Sequence, residues 1–433
     1  MYRPDIETIA RGDLRKLQGD RLGKLLERLR ALDSPFWQGK LAGVEPIHDM
    51  DGLGSLPFTE KQEFRDTFPY GMLTVPLDDV VRVHASSGTS GKPTIVAYAA
   101  DDVKVFAEVN ARSLSAAGAD RSDVVHIAYG YGLFTGGLGL HYGVEELGAT
   151  AVPASGGNPG FQIELMADTG ATGLAATPSF ALLLAERARD AGILDKIRLR
   201  WGIHGAESWS EGLRQKVEEA WGGDYDACDI YGLSEIIGPG VASECRENKG
   251  GLHIFEDHFY PEIVDPETGE PVEAGELGEL VITTLTKTAQ PVIRYRTRDM
   301  TRFLPGDCPC GRTSRRIARI QGRADDMLII RGINVYPRTI ETILMEDAAL
   351  GNNYAIIVDR RPTLPELEAR VELSTPASAA ETEAVASRLQ SKLMETIRLR
   401  VEVKVGPPGS VPRTELGKAK RVFERTDDTD PLG

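Results

Sequence analysis

The sequence predicts an α/β protein: a large N-terminal body on a doubly wound, mostly parallel sheet with a β-rich subdomain, then a small α+β C-terminal lobe. Three observations predict it. Short apolar strands alternate with helical segments between residues 100 and 230, which gives a parallel sheet covered on both faces. Past residue 255 the texture turns to strands and turns, and past about 326 it changes once more. A chain of 433 residues also exceeds one ordinary core.

The elements follow in order. Leu22, Leu25, Leu29 and Leu32 give the opening segment a helical apolar spacing. Val80–Val83 and Thr94–Tyr98 are β-rich and predict a hairpin. Asp101 is the expected N-cap of a helix running to Gly118, and the strand Val124–Ala128 comes next. Further strands are expected near 149–153, 173–176, 199–203 and 227–230, with the clearest helices at Pro178–Asp190 and Ser210–Trp221. Phe259–Val264 and Glu279–Thr284 flank the turn signal Asp265-Pro266-Glu267-Thr268-Gly269. The lobe holds strands at 354–358, 369–373 and 401–405 and a helix over 380–397.

Composition narrows the function classes. Hydrophobic content of 41% and charged content of 27% are those of a globular protein. A net charge of −15 argues against nucleic acid or an anionic membrane as partner. No apolar leader and no run approaching ~20 apolar residues is present, so the expected setting is cytoplasmic, without secretion or membrane spanning. An anionic substrate would then need a local basic patch. Arg312, Arg315, Arg316, Arg319 and Arg323 are the candidate, the alternative being a solvated arginine-rich surface.

Between the hairpin strands lies Ser86-Ser87-Gly88-Thr89-Ser90-Gly91-Lys92-Pro93. Glycines let N–H groups turn towards an anion, hydroxyls add donors and Lys92 adds a point charge, a composition suited to a polyphosphate. It is not a P-loop, because Ser86 stands where that motif has glycine and Pro93 where it has Ser or Thr. Taken alone, such a loop also reads as a plain connector.

Two further motifs, His204-Gly205-Ala206-Glu207 and Tyr231-Gly232-Leu233-Ser234-Glu235, fall at expected strand ends, where open parallel sheets bind ligands. Glu235 is suited to hold Mg²⁺ bridging phosphate oxygens. Tyr295-Arg296-Thr297-Arg298-Asp299 offers a carboxylate for two vicinal hydroxyls. Gly322-Arg323-Ala324-Asp325-Asp326 and Pro412-Arg413-Thr414-Glu415-Leu416-Gly417-Lys418 complete the set. Singly these are weak: Lys418 reads as a surface lysine and Asp299 as a turn residue.

In this order and spacing the set resembles the adenylate-forming superfamily, and within it the phenylacetate–coenzyme A ligase family, over essentially the whole chain. Family-like stretches are 128–137, 231–242 and 256–262. The resemblance implies an N-terminal AMP-binding domain over 1–324 and a mobile lobe over 325–433 pivoting at Asp325. Residues Ser86, Ser87, Gly88, Thr89, Ser90, Gly91 and Lys92 would bind the phosphates of ATP, with Thr89 and Lys92 also catalytic. Gly205, Ala206 and Glu207, with Asp229, Ile230, Tyr231 and Gly232, would wall the adenine and the acid. Glu235 would ligate Mg²⁺, Asp299 with Arg323 would hold the ribose, and Lys418 would reach the carboxylate and the α-phosphate.

The implied reaction joins an aryl or arylacetic acid, phenylacetate first, to AMP and then to coenzyme A. The alternative acceptor is a carrier-protein thiol. Tyr129, Tyr131 and Phe134 stand among glycines as flat pocket walls, or else as a core-packing turn. Benzoate, hydroxybenzoate and aminobenzoate remain open, and Ser208 stands where the family carries proline. The resemblance also implies a homodimer; Arg315 or Arg316, from the arginine-rich run, is the expected contact to the phosphate of coenzyme A.

The cysteines suggest a second metal. Cys308-Pro309-Cys310 can aim two thiolates at one point, and Cys245 and His253 flank a turn, together a Cys₃His set for structural Zn²⁺. The other reading is free thiols. Cys228, inside an expected strand, reads as a small buried hydrophobe.

Overall fold

Four helices open the chain: α1 (Pro4–Glu7), α2 (Arg11–Ala31), α3 (Pro35–Lys40) and α4 (Lys61–Asp66). The computed structural model describes every residue except 48, 87–92, 208, 332, 363, 414–419 and 433, and only the backbone of 329 and 334. Leu22, Leu25 and Leu29 recur on one face of α2 and bury against Trp37, Leu53 and Ile293, while Leu32 is its C-cap.

The hairpin β1 (Val80–Ser86) and β2 (Thr94–Ala99) is antiparallel, with Ser86 opposite Thr94. Helix α5 (Ala100–Ala116) corrects one expectation. Asp101 lies inside its first turn, paired with Lys104; the N-cap is Ala99, whose N–H donates to the carboxylate of Asp102, three residues on, at 2.8 Å. Asp102 also accepts from Ala289 N–H at 2.8 Å, so a distant segment fixes where the helix begins.

The alternating region comprises β3 (Val124–Ile127), α6 (Thr135–Leu147), β4 (Thr150–Val152), α7 (Pro159–Thr169), β5 (Gly173–Ala176), α8 (Pro178–Asp190), β6 (Trp201–Gly205), α9 (Glu211–Trp221) and β7 (Asp226–Leu233). Strands β4, β3, β5, β6 and β7 pair in parallel in that order. Side chains alternate between faces. Ala175, Ile203 and Cys228 pack towards Leu114, Leu140 and Val144, whereas Leu174, Ala176 and Ala227 join the cluster of Met166, Leu184 and Val217. Helices therefore cover both faces.

Beyond β7 the same sheet becomes antiparallel through β8 (Gly238–Cys245) and β9 (Asn248–Ile254), so it is mixed rather than mostly parallel to its edge. Next come β10 (Phe259–Val264), β11 (Gly278–Thr284), β12 (Tyr295–Thr301), β13 (Phe303–Leu304), β14 (Arg316–Ile317) and β15 (Gly322–Arg323). Strands β14 and β13 extend the large sheet past β9, while β10, β11, β12 and β15 form the β-rich subdomain.

The lobe holds β16 (Leu328–Ile330), β17 (Ile333–Val335), α10 (Pro337–Met345), β18 (Leu350–Asp359), β19 (Glu366–Leu373), α11 (Ala379–Ile397), β20 (Val401–Gly406) and β21 (Val422–Arg425). Its main sheet has the order β20-β19-β18-β21. Body and lobe share a hydrophobic cluster in which Leu213 and Val217 of α9 belong with Ile343, Leu344 and Leu350. Polar contacts cross as well: Arg338 donates to Trp209 O at 2.8 Å, and Lys216 to Leu350 O and Gly351 O at 3.0 Å. Among the described residues no helix is long and apolar enough to cross a membrane.

Candidate active site

The backbone is tightly constrained at the carboxyl ends of β6 and β7. A Cβ on Gly205 would lie 2.2 Å from the carbonyl oxygen of Ile230, and one on Gly232 only 1.8 Å from that of Gly238. No side chain fits at either position. Ala206 follows at φ +68°, a left-handed conformation costly for any residue with a Cβ and concentrated at functional sites. Arg298, immediately before Asp299, shares it at φ +65°. Tyr129 braces this corner: its hydroxyl donates to Ala176 O at 2.7 Å and accepts from Gly205 N–H at 2.9 Å.

Glu235 lies just past β7 and is buried. Its Oε1 accepts from Ser86 Oγ at 3.3 Å, which brings the start of the phosphate-loop motif to the carboxylate. Two lysines that the sequence did not single out meet it there. Lys61 Nζ, at the start of α4, is 3.1 Å from the same oxygen. Lys287 is buried, donates to Glu235 O at 3.0 Å and lies over the Tyr98 ring; burial pushes its ammonium down to about 8. Both come from distant segments, so no local pattern marked them. A hard, acceptor-only carboxylate oxygen beside a hydroxyl suits a single protein contact to Mg²⁺, which normally keeps phosphate and water as its other ligands.

Asp299 and Arg323 are partners across the β12–β15 ladder, with Arg323 Nη1 3.4 Å from Asp299 Oδ1. Tyr231 donates to Asp299 Oδ2 at 2.6 Å. The other edge of the Arg323 guanidinium grips Asp325 through two contacts of 2.9 Å. Nearby, Glu207 is held by Ser179 of α8, whose Oγ donates at 2.7 and 2.9 Å. Asp229 turns away from this group: its N–H donates to Glu244 at 2.8 Å, its carboxylate lies 3.9 Å from Arg319, and burial raises it to about 6.

Of the expected pocket walls, Tyr129, Tyr131 and Ala206 lie in one cluster with buried Ile230. Tyr131 is fixed by His141, whose Nδ1 is 3.3 Å from the phenol oxygen. Phe134 is not in that cluster; it is 39% exposed, with its ring over Gly136. Ser87, Gly88, Thr89, Ser90, Gly91, Lys92, Ser208 and Lys418 lie outside the described residues.

The arginine-rich run is not a basic patch. Arg312 is 2.6 Å from buried Glu7, Arg315 is 2.7 Å from Glu256, and Arg319 is 3.4 Å from Glu244. Arg316 donates to Pro305 O and Gly306 O at 3.3 Å. Each guanidinium has a partner inside the fold, so Arg315 and Arg316 are not a ready anion site.

The Cys₃His set does converge. Ligand atoms of Cys245, His253, Cys308 and Cys310 all lie within 4.8 Å of one another. Cys245 Sγ is 3.5 Å from Cys308 Sγ, and Cys310 Sγ is 3.4 Å from His253 Nε2. His253 Nδ1 engages Ser314 Oγ at 3.2 Å, which orients the ring with Nε2 towards the sulfurs. Hydrogen bonds from Cys245 and His253 hold the Cys310 thiol far below its ordinary range. Three thiols and one imidazole so gathered fit a closed tetrahedral Zn²⁺ site.

The AMP-binding enzyme family model matches residues 38–286, and the AMP-binding enzyme C-terminal domain model matches 332–426. The phenylacetate-coenzyme A ligase of Thermus thermophilus is 46% identical over 98% of this chain and 99% of its own. That of Escherichia coli is also 46% identical, over 97% of this chain and 96% of its own. Among solved structures, a 2-hydroxyisobutyryl-CoA ligase in the postadenylation state with 2-HIB-AMP matches at TM-score 0.91 and 28% identity, over 98% of this chain and 92% of that one. The same ligase in the thioesterification state, with 2-HIB-AMP and CoA, matches at 0.72 over 97% and 91%.

Proposed function

The chain belongs to the phenylacetate–coenzyme A ligase family of AMP-binding enzymes, and we propose from that premise that its acid is phenylacetate or a close aryl relative. It is an AMP-forming acid–thiol ligase. A carboxylate repels nucleophiles and has no leaving group. Its oxygen attacks the α-phosphorus of ATP, pyrophosphate departs, and an acyl-adenylate forms. The thiol of coenzyme A then attacks the acyl carbon and AMP leaves with the electron pair of the broken bond. Little covalent help is needed, and the protein's part is placement and charge neutralisation.

In this reading Asp299 accepts from the ribose hydroxyls with Arg323 alongside. Residues 86–92 hold the phosphates, and Lys418 bridges the carboxylate and the α-phosphate. Gly205, Ala206 and Glu207, with Ile230, Tyr231 and Gly232, line the adenine and the acid, and Tyr131 gives the ring a flat face. Glu235 and Ser86 would hold Mg²⁺, which would neutralise phosphate charge. Cys245, His253, Cys308 and Cys310 would hold a structural Zn²⁺. Asp325 is the pivot between 1–324 and 325–433, and the better match to the postadenylation state supports a lobe standing as it does for adenylation. The four cysteines, none in a disulfide, support a reducing, cytoplasmic setting. The relatives are ligases to coenzyme A by name, so a carrier-protein acceptor is not favoured.

One observation carries the reading: Ser86 meets Glu235 just beyond the strand whose Tyr231 meets Asp299 and, through it, Arg323. The test is acid-dependent ATP–pyrophosphate exchange across a panel of aryl acids, followed by AMP release with coenzyme A. Phenylacetate is expected to exceed benzoate roughly 10- to 200-fold, the discrimination one methylene permits. Absence of exchange with every aryl acid would overturn the assignment.

A further inference from the structure

Helix α8 touches both the site and the lobe. Ser179, in its first turn, grips Glu207, and Glu186, two turns further along, reaches the lobe. The i,i+7 spacing puts both side chains on one face of the helix. One Glu186 oxygen accepts from Asn352 Nδ2 of β18 at 2.9 Å, and the other pairs with Nη1 of Arg413. The second amino group of Arg413 lies 3.3 Å from Glu372 of β19.

Glu372 is fixed within the lobe. It accepts from Asn353 Nδ2 at 3.0 Å and from the N–H of Gly409 at 3.0 Å and of Val411 at 3.3 Å. Arg413 is therefore shared between a buried acid of its own lobe, Glu372 at 2% side-chain exposure, and one acid of the body, Glu186 at 22%. In sequence Arg413 stands five residues before Lys418. When the lobe turns on its pivot, the Arg413–Glu372 contact travels with it and the Arg413–Glu186 contact cannot.

We propose that Glu186 is a positioning residue for the first half-reaction only: it clasps Arg413 while the lobe is set for adenylation and releases it before coenzyme A is used. This rests on the two-step ligase reading above. The contacts of Glu186 are to lobe residues, and its action is to hold the lobe from the body side. Because the pair is partly solvated, its effect is moderate.

The test measures the two half-reactions separately on the full-length protein: phenylacetate-dependent ATP–pyrophosphate exchange, and thioester formation from chemically prepared phenylacetyl-AMP with coenzyme A. Glu186→Gln and Arg413→Gln are each expected to slow exchange roughly three- to tenfold and to leave thioester formation at or above wild type. Glu186→Asp should fall between wild type and Glu186→Gln. Equal losses in both half-reactions, or exchange at the wild-type rate in Glu186→Gln, would overturn the clasp while wild-type activity kept the ligase reading intact. Wild-type protein inactive in both assays would overturn that reading, and the clasp with it.

Discussion

His204, one residue before the tight approach at Gly205, is a buried imidazole with both nitrogens used. Nδ1 lies 3.0 Å from Ala176 O and Nε2 3.0 Å from Tyr225 Oη. Burial pushes it from 6.5 down to about 4, so it stays neutral in the folded protein while the unfolded chain takes up a proton near 6.5. Between those two values the unfolded state binds more protons, so stability rises with pH and is lost as pH falls. The difference in urea stability between wild type and His204→Gln should therefore shift against wild type on acidification from pH 6.5 to 4, by on the order of 3 kcal/mol. A flat difference across that window would mean the imidazole is not held neutral. At this scale long-range partnership is the hardest thing to read from sequence. Asp299 and Arg323, which the resemblance names together, are partners in the fold. The arginines at 312–319, which the sequence offers as a basic patch or a solvated surface, are instead paired inside the fold; Glu7, Glu244 and Glu256 lie far away in the chain and nothing local announces them. Lys61 and Lys287 stayed hidden for the same reason.

Strands β8 and β9 with the loop before β14 form the element on which the Cys₃His set depends. Chelator-washed protein is expected to retain about one zinc per chain by elemental analysis, and Cys308→Ser to lose it. Stripping the metal should lower the thermal midpoint by roughly 5 °C or more without first abolishing exchange, since a closed site contributes folding energy rather than chemistry. Protein carrying no zinc, with an unchanged melt in Cys308→Ser, would return these residues to plain thiols. Elements with strong local signals were legible: α8 begins and ends as expected, and Ser210 caps α9 by accepting from Leu213 N–H. Helix α6 was not. Gly136, Gly137, Gly139 and Gly143 lower its intrinsic propensity, yet packing needs them. A Cβ at Gly143 would lie 2.5 Å from Asn110 Cβ and one at Gly139 2.5 Å from Pro239, so the helix exists because its bare face fits against α5 and β8. Tertiary contact overrode propensity there, as it did in placing the N-cap of α5 at Ala99, with Asp102 bonded back to it, rather than at Asp101.

For the whole molecule, the proposed alternation of one lobe between two reactions makes a prediction about Lys418. Replacing it by Ala should slow adenylation by roughly 10²–10³-fold, the loss expected for one charge-assisted contact to a transition state, and leave the transfer of a preformed adenylate to coenzyme A nearly untouched. An unchanged exchange rate would remove Lys418 from the reaction. Division into body and lobe was readable because texture changes along the chain; the contacts that join them, at Glu341, Arg338 and Lys216, were not, since they hold only in the folded arrangement. One guanidinium ties the scales together. Arg323 reaches Asp299 with one edge and Asp325 with the other, so the site proposed for sugar and the proposed pivot draw on a single cation. A sugar bound at the one and a swing about the other would therefore compete for the same guanidinium.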